Sequence, residues 1–448
     1  MARVFLWAVA LCVVTAFGGS ANAMELREAL ETAYRNSLQL KAARAELEAA
    51  FENYPQAYSG WLPSITGSYS TGKERQKTGT STANEYHAPH SRSVSLSQPI
   101  FSGGRTTASI QRAEYLVDRA LARYTDAEQD LLSSALVAYV DVVRTRKVLE
   151  LSKSNERVLE EQLEATRSRF DLGETTRTDV AQSESRLARA QSDRIQAEGN
   201  LIASESEFER VYLIAPPATM NMPEALGAIP GTLDNAMQVA FQKNPSLLTA
   251  LNDHLATKTN IDIQQADLLP TVSIDGQATR QGGETSRLGG SFESDTILLN
   301  VSVPFFQNGS EYSQIRQAKK EEKNAFFSLS QTRKNLVDGV RTAWQDIHTS
   351  LADLSANLKA VEAAELALEG VKEEREIGSR TVLDVLNAEQ ELFVARVDLI
   401  TSQRNNVVAT YNLKATVGEL TAQDIDLAVP YYDRNAALDR VKYQMIGF

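Results

Sequence analysis

Two aspartates carry the most pointed chemistry in this 448-residue chain. Asp179 stands three residues after Thr176 and six after Gly173, and Asp384 stands three after Thr381 and six after Gly378. A carboxylate in the first turn of a helix is favoured by the helix dipole. Copies of it crowded round one axis would raise local cation affinity and repel anions. Both readings fit the two positions. Other reactive side chains are sparse and scattered. The four histidines are His87, His90, His254 and His348, and the first two read as solvated residues of one surface loop. No H-E-x-x-H, P-loop or G-x-S-x-G pattern occurs. Gly103-Gly104, Gly282-Gly283 and Gly289-Gly290 read as turns. The expectation is a protein without catalytic residues, cofactor or metal.

The spacing of the aspartates belongs to a larger repeat. Pro99, Phe101, Gly104 and Ile110 recur 205 residues later as Pro304, Phe306, Gly309 and Ile315. Gly173, Thr176, Asp179, Val180, Glu184, Leu187, Ala190 and Asp193 recur at the same interval as Gly378, Thr381, Asp384, Val385, Glu389, Leu392, Ala395 and Asp398. Constant spacing over nearly a hundred residues marks a tandem duplication.

The ends and the composition narrow the class. Met1-Ala2-Arg3, an apolar run over 4–17 and Ala21-Asn22-Ala23 predict a secretory signal peptide over 1–23. The single cysteine, Cys12, lies inside it. The mature chain therefore has no thiol, disulfide or thiolate metal site. A net charge of −12 disfavours nucleic acid and anionic membrane surfaces as partners. No later run of about twenty apolar residues predicts a membrane helix. A β-barrel span stays open, because its signal is alternation.

Proline is absent between Pro99 and Pro216 and between Pro304 and Pro430. Both windows are rich in helix formers and predict long helices. In the second, Leu336, Val340, Trp344, Ile347, Leu351, Leu354, Leu358 and Val361 form a heptad-like seam. Leu131, Tyr139, Val142 and Leu149 match it in the first. Each window breaks once, at the glycine and threonine before the aspartate, so each reads as a helical hairpin. Its first arm of roughly 65 residues would be on the order of 100 Å long. Before each hairpin lies an alternating pattern. Ile65, Gly67 and Tyr69, then Val94, Leu96 and Gln98, oppose polar neighbours in the first copy. Val272, Ile274 and Gly276, then Ile297, Leu299, Val301 and Val303, do so in the second. These predict two strand pairs of membrane-crossing length, joined by polar stretches at 71–92 and 280–294. Trp61, Phe101, Phe305 and Phe306 sit where strands meet helices, as an interfacial girdle would or, for any one of them, as ordinary core packing at a helix–strand junction would. Four such strands cannot close a barrel, so the chain must oligomerise.

The resulting organisation is a first repeat at 24–214, with strands at about 61–101 and a hairpin at about 105–214. A linker at 215–231 follows. The second repeat spans 232–420, with strands at about 268–306 and a hairpin at about 310–418. A polar tail covers 421–448 and either packs outside or trails free.

Trp61-Leu62-Pro63 with Leu268-Leu269-Pro270, the run Gln98-Pro99-Ile100-Phe101-Ser102-Gly103-Gly104-Arg105, and the turns after Leu172 and Ile377 together resemble the TolC family of bacterial outer-membrane efflux and secretion conduits. The resemblance implies α structure plus a membrane β-barrel. A homotrimer would form twelve strands, continued into an α-helical coiled-coil tunnel across the periplasm. It implies a passive duct for tripartite efflux or type I secretion. The duct would dock through its tips (Gly173, Thr176, Gly378, Thr381) to a periplasmic adaptor and an inner-membrane RND or ABC exporter. It also implies a gate at the tips. Asp384 matches the acidic ring, and Arg380, Thr178 and Asp179 match residues that link neighbouring hairpins. The family's second acid is Asn387 here, and a tyrosine link partner is Arg375. The rival readings are a periplasmic adaptor and a secreted coiled-coil protein. Neither needs duplicated strands of lipid-crossing length.

Overall fold

The structure is a computed structural model that describes residues 24–76, 85–223, 230–283 and 291–442. The signal-peptide reading of 1–23 lies outside the described residues. The chain divides into two compact units. One holds the chain through Ala33 with Ala135–Leu226 and Asp353–Val407; the other holds Tyr34–Ser134, Gly227–Ala352 and Val408–Phe448.

The second of these units contains the sheet. Helices α1 (Leu26–Asn36), α2 (Leu38–Phe51) and α3 (Asn53–Tyr58) precede strand β1 (Ser64–Thr71). Pro55, which has no N–H to give to Phe51, accompanies the break between α2 and α3. A two-stranded ribbon, β2 (Glu74–Gln76) and β3 (Glu85–His87), leads to β4 (His90–Ser102). Helix α4 (Arg105–Asp171) and helix α5 (Arg177–Tyr212) form the first hairpin. The second copy repeats the order with α6 (Leu233–Lys243), α7 (Pro245–Gln265), β5 (Thr271–Gly282), β6 (Phe292–Ser302), α8 (Ser310–Glu376) and α9 (Val382–Val417). Helices α4 and α8 each have 67 residues, and α5 and α9 each have 36. The short α10 (Arg434–Lys442) ends the described chain.

The four long strands form one antiparallel sheet in the order β1-β4-β5-β6. Its registers sort the side chains by face. Ile65, Leu96, Gly276 and Ile297 share one row, and Ile274 with Leu299 and Val272 with Val301 share the same face. Thr66, Ser95, Gln277 and Thr296 fill the other, followed by Ser68, Ser93, Thr279 and Ser294. Period-2 patterning thus gives one apolar and one hydroxyl-rich surface. The wet face also holds Asp275, which accepts from Ser97 at 2.5 Å, from Ser273 at 2.8 Å and from Asn300. The outer strands β1 and β6 pair on one side only within the chain.

Three expectations change in detail. Strands β5 and β6 run further into the polar stretch at 280–294 than the alternation indicates. Arg280 there joins Asp295 at 2.8 Å and Glu293 at 3.3 Å across the pair. Cross-strand charge pairing supports a ladder that hydrophobicity does not mark. The loop reading of His87 and His90 is also corrected. His87 ends β3, and His90 opens β4 opposite Gly282. Finally, the two copies differ where their sequences match. β4 passes Pro99 through a register shift before Phe101, whereas β6 stops at Ser302, before Pro304. Pro99 thus lies at an irregularity of the ladder, one of the places where a strand tolerates a residue without an N–H. Phe305 and Phe306, just past the end of β6, are 92% and 77% exposed in the single chain.

Packing bears out the helical seam in part. Leu336, Val340 and Ile347 are buried with Ala236, Ala240, Leu413 and Val417. Leu131, Tyr139, Val142 and Leu149 are buried as well. Leu351 and Leu358 stay about half exposed in a single chain. The tail packs rather than trailing. Tyr432, Ala437, Leu438 and Val441 lie on the cluster of Leu40, Leu47, Phe51 and Val117, and the Arg44 guanidinium covers the Tyr432 ring at 4.4 Å. In the other unit the start of the linker is tied to α4. The Tyr139 hydroxyl meets the carbonyls of Met24 (2.7 Å) and Asn221 (3.1 Å), and Arg146 donates to the carbonyls of Pro217 and Ala218.

Candidate functional site

All eight singled-out residues lie in or beside the two turns that join α4 to α5 and α8 to α9, within one unit. The turns are built alike. Gly173 and Gly378 both have φ of +81°, a conformation in which a side chain is strained. Each glycine lets the chain double back, so that Glu174 N–H reaches Arg169 O at 2.9 Å and Ser379 N–H reaches Glu374 O at 3.0 Å. Those bonds satisfy carbonyls that the helix end leaves bare.

The next helix begins with a reciprocal cap. Thr381 Oγ1 accepts from Asp384 N–H at 3.2 Å. Asp384 Oδ2 accepts from Thr381 N–H at 2.9 Å and from Thr381 Oγ1–H at 2.8 Å. Thr176 and Asp179 repeat this pattern. This is a capping box with aspartate in place of glutamate. The Thr381 backbone N–H, then its hydroxyl, then the Arg380 charge hold the Asp384 carboxyl below the usual carboxylate range. Asp384 therefore remains anionic through the ordinary pH range. The cap reading and the charge reading are compatible, because a capping carboxylate keeps its charge.

Arg380 places its guanidinium on Glu374 of its own hairpin at 2.8 Å. Thr178 is exposed in the first turn of α5 and makes no side-chain hydrogen bond among the described residues. Within one chain, then, Asp384, Arg380, Asp179 and Thr178 occupy equivalent turns but do not form one bonded group.

The structure adds contacts between hairpins. Arg186 of α5 donates to Asn387 Oδ1 of α9 at 2.6 Å. Arg375 of α8 donates to Gln162 Oε1 of α4 at 3.5 Å, while its Nε is buried without a partner. Beneath them Leu159, Ala190 and Leu386 make one small core, and Leu368, Val385 and Leu392 another. Sequence reading singled out Asn387 and Arg375 but not their partners. Glu374 was accessible as an acid six residues before Arg380. Gln162 and Arg186 lie over two hundred residues from their partners, and no local pattern marks them.

A protein-family model described as Outer membrane efflux protein matches the chain twice, at residues 29–211 and 236–419. The outer membrane efflux protein BepC of Brucella suis is 30% identical over 440 residues, 98% of this chain and 95% of its own. The proteases secretion protein PrtF of Dickeya chrysanthemi is 28% identical over 437 residues, covering 93% of each. The outer membrane protein TolC of Escherichia coli K12 is 25% identical, covering 92% of this chain and 86% of its own. Among solved structures, the Campylobacter jejuni CmeC outer membrane channel superposes with a TM-score of 0.78 at 16% identity, over 94% of this chain and 90% of that one. At that identity the likeness speaks for the fold.

Proposed function

Because the chain belongs to the outer membrane efflux protein family and serves as an exit duct in the outer membrane, we propose that three copies join into a passive channel gated at its helical turns. The observation that carries the assembly is the open four-stranded sheet with an apolar face. Strands of 12 and 11 residues have the length that crosses a bilayer at a tilt of about 45°. An unpaired edge in lipid costs several kcal/mol for each bare backbone group. Pairing β6 of one copy with β1 of the next removes both edges, and three copies close twelve strands. The half-exposed Leu351 and Leu358 supply apolar surface for the same association.

In this reading the hydroxyl-rich face lines the pore, and the helical hairpins continue it through the periplasm. The linker and tail form a belt around the helices. Three Asp384 carboxylates ring the closed end, with Arg380, Asp179 and Thr178 of adjoining hairpins as the links that hold it shut. The turns at Gly173, Thr176, Gly378 and Thr381 are the surface for a periplasmic adaptor, which connects the duct to an RND or ABC exporter in the inner membrane. The relatives named for efflux and for protease secretion support small-molecule export and type I secretion as the two duties.

The test is direct. The mature chain purified in detergent is expected to run as a trimer by native mass spectrometry and to conduct in planar bilayers. Asp384→Ala is expected to raise conductance or abolish block by multivalent cations. A water-soluble monomer without conductance refutes the assembly, and an unaltered Asp384→Ala channel refutes the gate.

A further inference from the structure

The hydroxyl-rich face of the sheet carries a single formal charge among the described residues of its four long strands. Asp275 of β5 shares its row with Ser64, Ser97 and Leu298, and every other described position on that face is uncharged. The remaining charges of the sheet lie on the opposite face, where Arg92, Arg280 and Glu293 share a row and Asp295 stands in the next. Those charges come in both signs, and Arg280 pairs with both acids. The charge of Asp275 has no such partner in its bonds. It accepts from the Ser97 hydroxyl of β4 at 2.5 Å, from the Ser273 hydroxyl at 2.8 Å and from the Asn300 amide of β6. All three donors are neutral, so they fix the carboxylate against the wall and leave its charge uncompensated.

The first copy of the repeat has no counterpart. Pro63 and Pro270, each just before the first strand of its copy, are 207 residues apart, and the same step leads from Ser68 to Asp275. A plain structural duty is available to the carboxylate, since its bonds reach β4 and β6 from β5 and so pin the register where the two copies join. That duty needs only an acceptor, and it leaves the charge itself unexplained.

The charge matters if this face lines a pore. Twelve strands about 4.8 Å apart and tilted by about 45° make a wall of about 13 Å radius. Fields from wall charges reach about 30 Å in 0.01 M salt, about 10 Å in 0.1 M and about 3 Å in 1 M. Three carboxylates at one level therefore set the potential of the whole lumen in dilute salt and hug the wall in concentrated salt. Such a ring raises the local concentration of cations and lowers that of anions. Resting on the reading of the chain as a trimeric duct, we propose that Asp275 is a charge filter in the strand-built part of the pore, favouring cationic solutes over anionic ones of the same size. It is separate from Asp384, which lies on a helical turn.

The test places one thiol on this face of the full-length chain, assembled in detergent and reconstituted in lipid vesicles and planar bilayers. Every form carries Cys12→Ala, so that the introduced thiol is the only one, and Asp384→Asn, so that the turn carboxylate adds no field. Ser95→Cys lies on the diagonal from Asp275, about 7–8 Å away. Ser91→Cys lies about 20 Å from it along the same face. A trimethylammonium and a sulfonate methanethiosulfonate are the probes, each rate being divided by its rate with free cysteine. In 0.01 M salt the cation-to-anion rate ratio at Ser95→Cys is expected to exceed that at Ser91→Cys at least about threefold, and the excess to vanish in 1 M salt. Adding Asp275→Asn, which keeps an acceptor and removes the charge, should abolish the excess as well. The comparison of the two positions needs no change at Asp275, so it stands should that variant fold poorly. Equal ratios at the two positions, or an excess that Asp275→Asn leaves unmoved, in a protein that still conducts would overturn the filter and leave the duct standing. A protein without conductance, or thiols that neither probe reaches, would overturn the duct reading and the filter with it.

Discussion

Replacing Thr381 by alanine and Asp384 by asparagine should separate the mechanical from the electrostatic role of the α8–α9 turn. Thr381→Ala removes the hydroxyl that accepts from Asp384 N–H at 3.2 Å and donates to Asp384 Oδ2 at 2.8 Å. The carboxylate itself stays, still held by the Thr381 backbone N–H at 2.9 Å. Loss of such a cap costs about 1 kcal/mol, roughly a fivefold gain in opening of the first turn of α9. Asp384→Asn does the reverse. Its amide oxygen can still accept from the Thr381 N–H, but the charge is gone. Hydrogen exchange of the Asp384 amide, the one that Thr381 Oγ1 accepts from, reads the cap, and cation block in planar bilayers reads the charge. Thr381→Ala should speed exchange about fivefold and keep the block. Asp384→Asn should leave exchange nearly unchanged and lose the block. If Asp384→Asn retains block at the wild-type cation concentration, the carboxylate is a cap and nothing more.

Gly378→Ala should destabilise its turn by about 1–2 kcal/mol through backbone strain alone, because nothing lies within 4 Å of the added methyl. Gly103→Ala should cost more, since φ is +62° there and the methyl would stand 2.6 Å from Ala266 O; denaturant melts of detergent-solubilised protein compare the two. Glu128→Gln should flatten one arm of the pH–stability curve. Burial raises the Glu128 carboxyl above its unfolded value although Ala422 N–H opposes the shift, so folding takes up a proton. That contribution is full below the unfolded pKa of about 4.3 and is lost as pH rises through the folded one. The amide still accepts from Ala422, now 2.9 Å away. The variant should therefore match or exceed the wild-type melting temperature at pH 7, by roughly 1–2 °C, and lose its advantage near pH 4. Ile297→Arg, on the apolar face of β6, should cost about 2–4 kcal/mol in folding from urea into lipid vesicles. Ser95→Arg, on the wet face, should fold nearly normally and alter ion selectivity instead.

Much of this protein is legible along the chain because its regularities are local or strictly repeated. Proline-free windows, an apolar period near 3.5, alternation at period 2 and a Gly–Thr–Asp turn each follow from backbone sterics and hydrogen bonding within a few residues. Thr381 and Asp384 could be named as a helix start because a cap needs no partner beyond its own turn. The 205-residue interval carried the same inference to Thr176 and Asp179. The ladder alone revealed that β4 joins β5, uniting the strand pairs of both copies in one sheet. Pairing is set by backbone groups that all residues share, so side-chain pattern does not record it.

Where the copies diverge, surroundings decide. Pro99 sits inside β4 at a register shift against β5 and Pro304 beyond the end of β6, though both precede the same residue type by two positions. The contacts Arg186–Asn387, Arg375–Gln162 and Glu128–Ala422 each join residues more than two hundred positions apart. The sequence determined the elements, their duplication and the caps, because those energies are spent within a turn or a strand. Tertiary structure decided which distant polar groups meet, because desolvation and pairing depend on what the rest of the chain brings alongside.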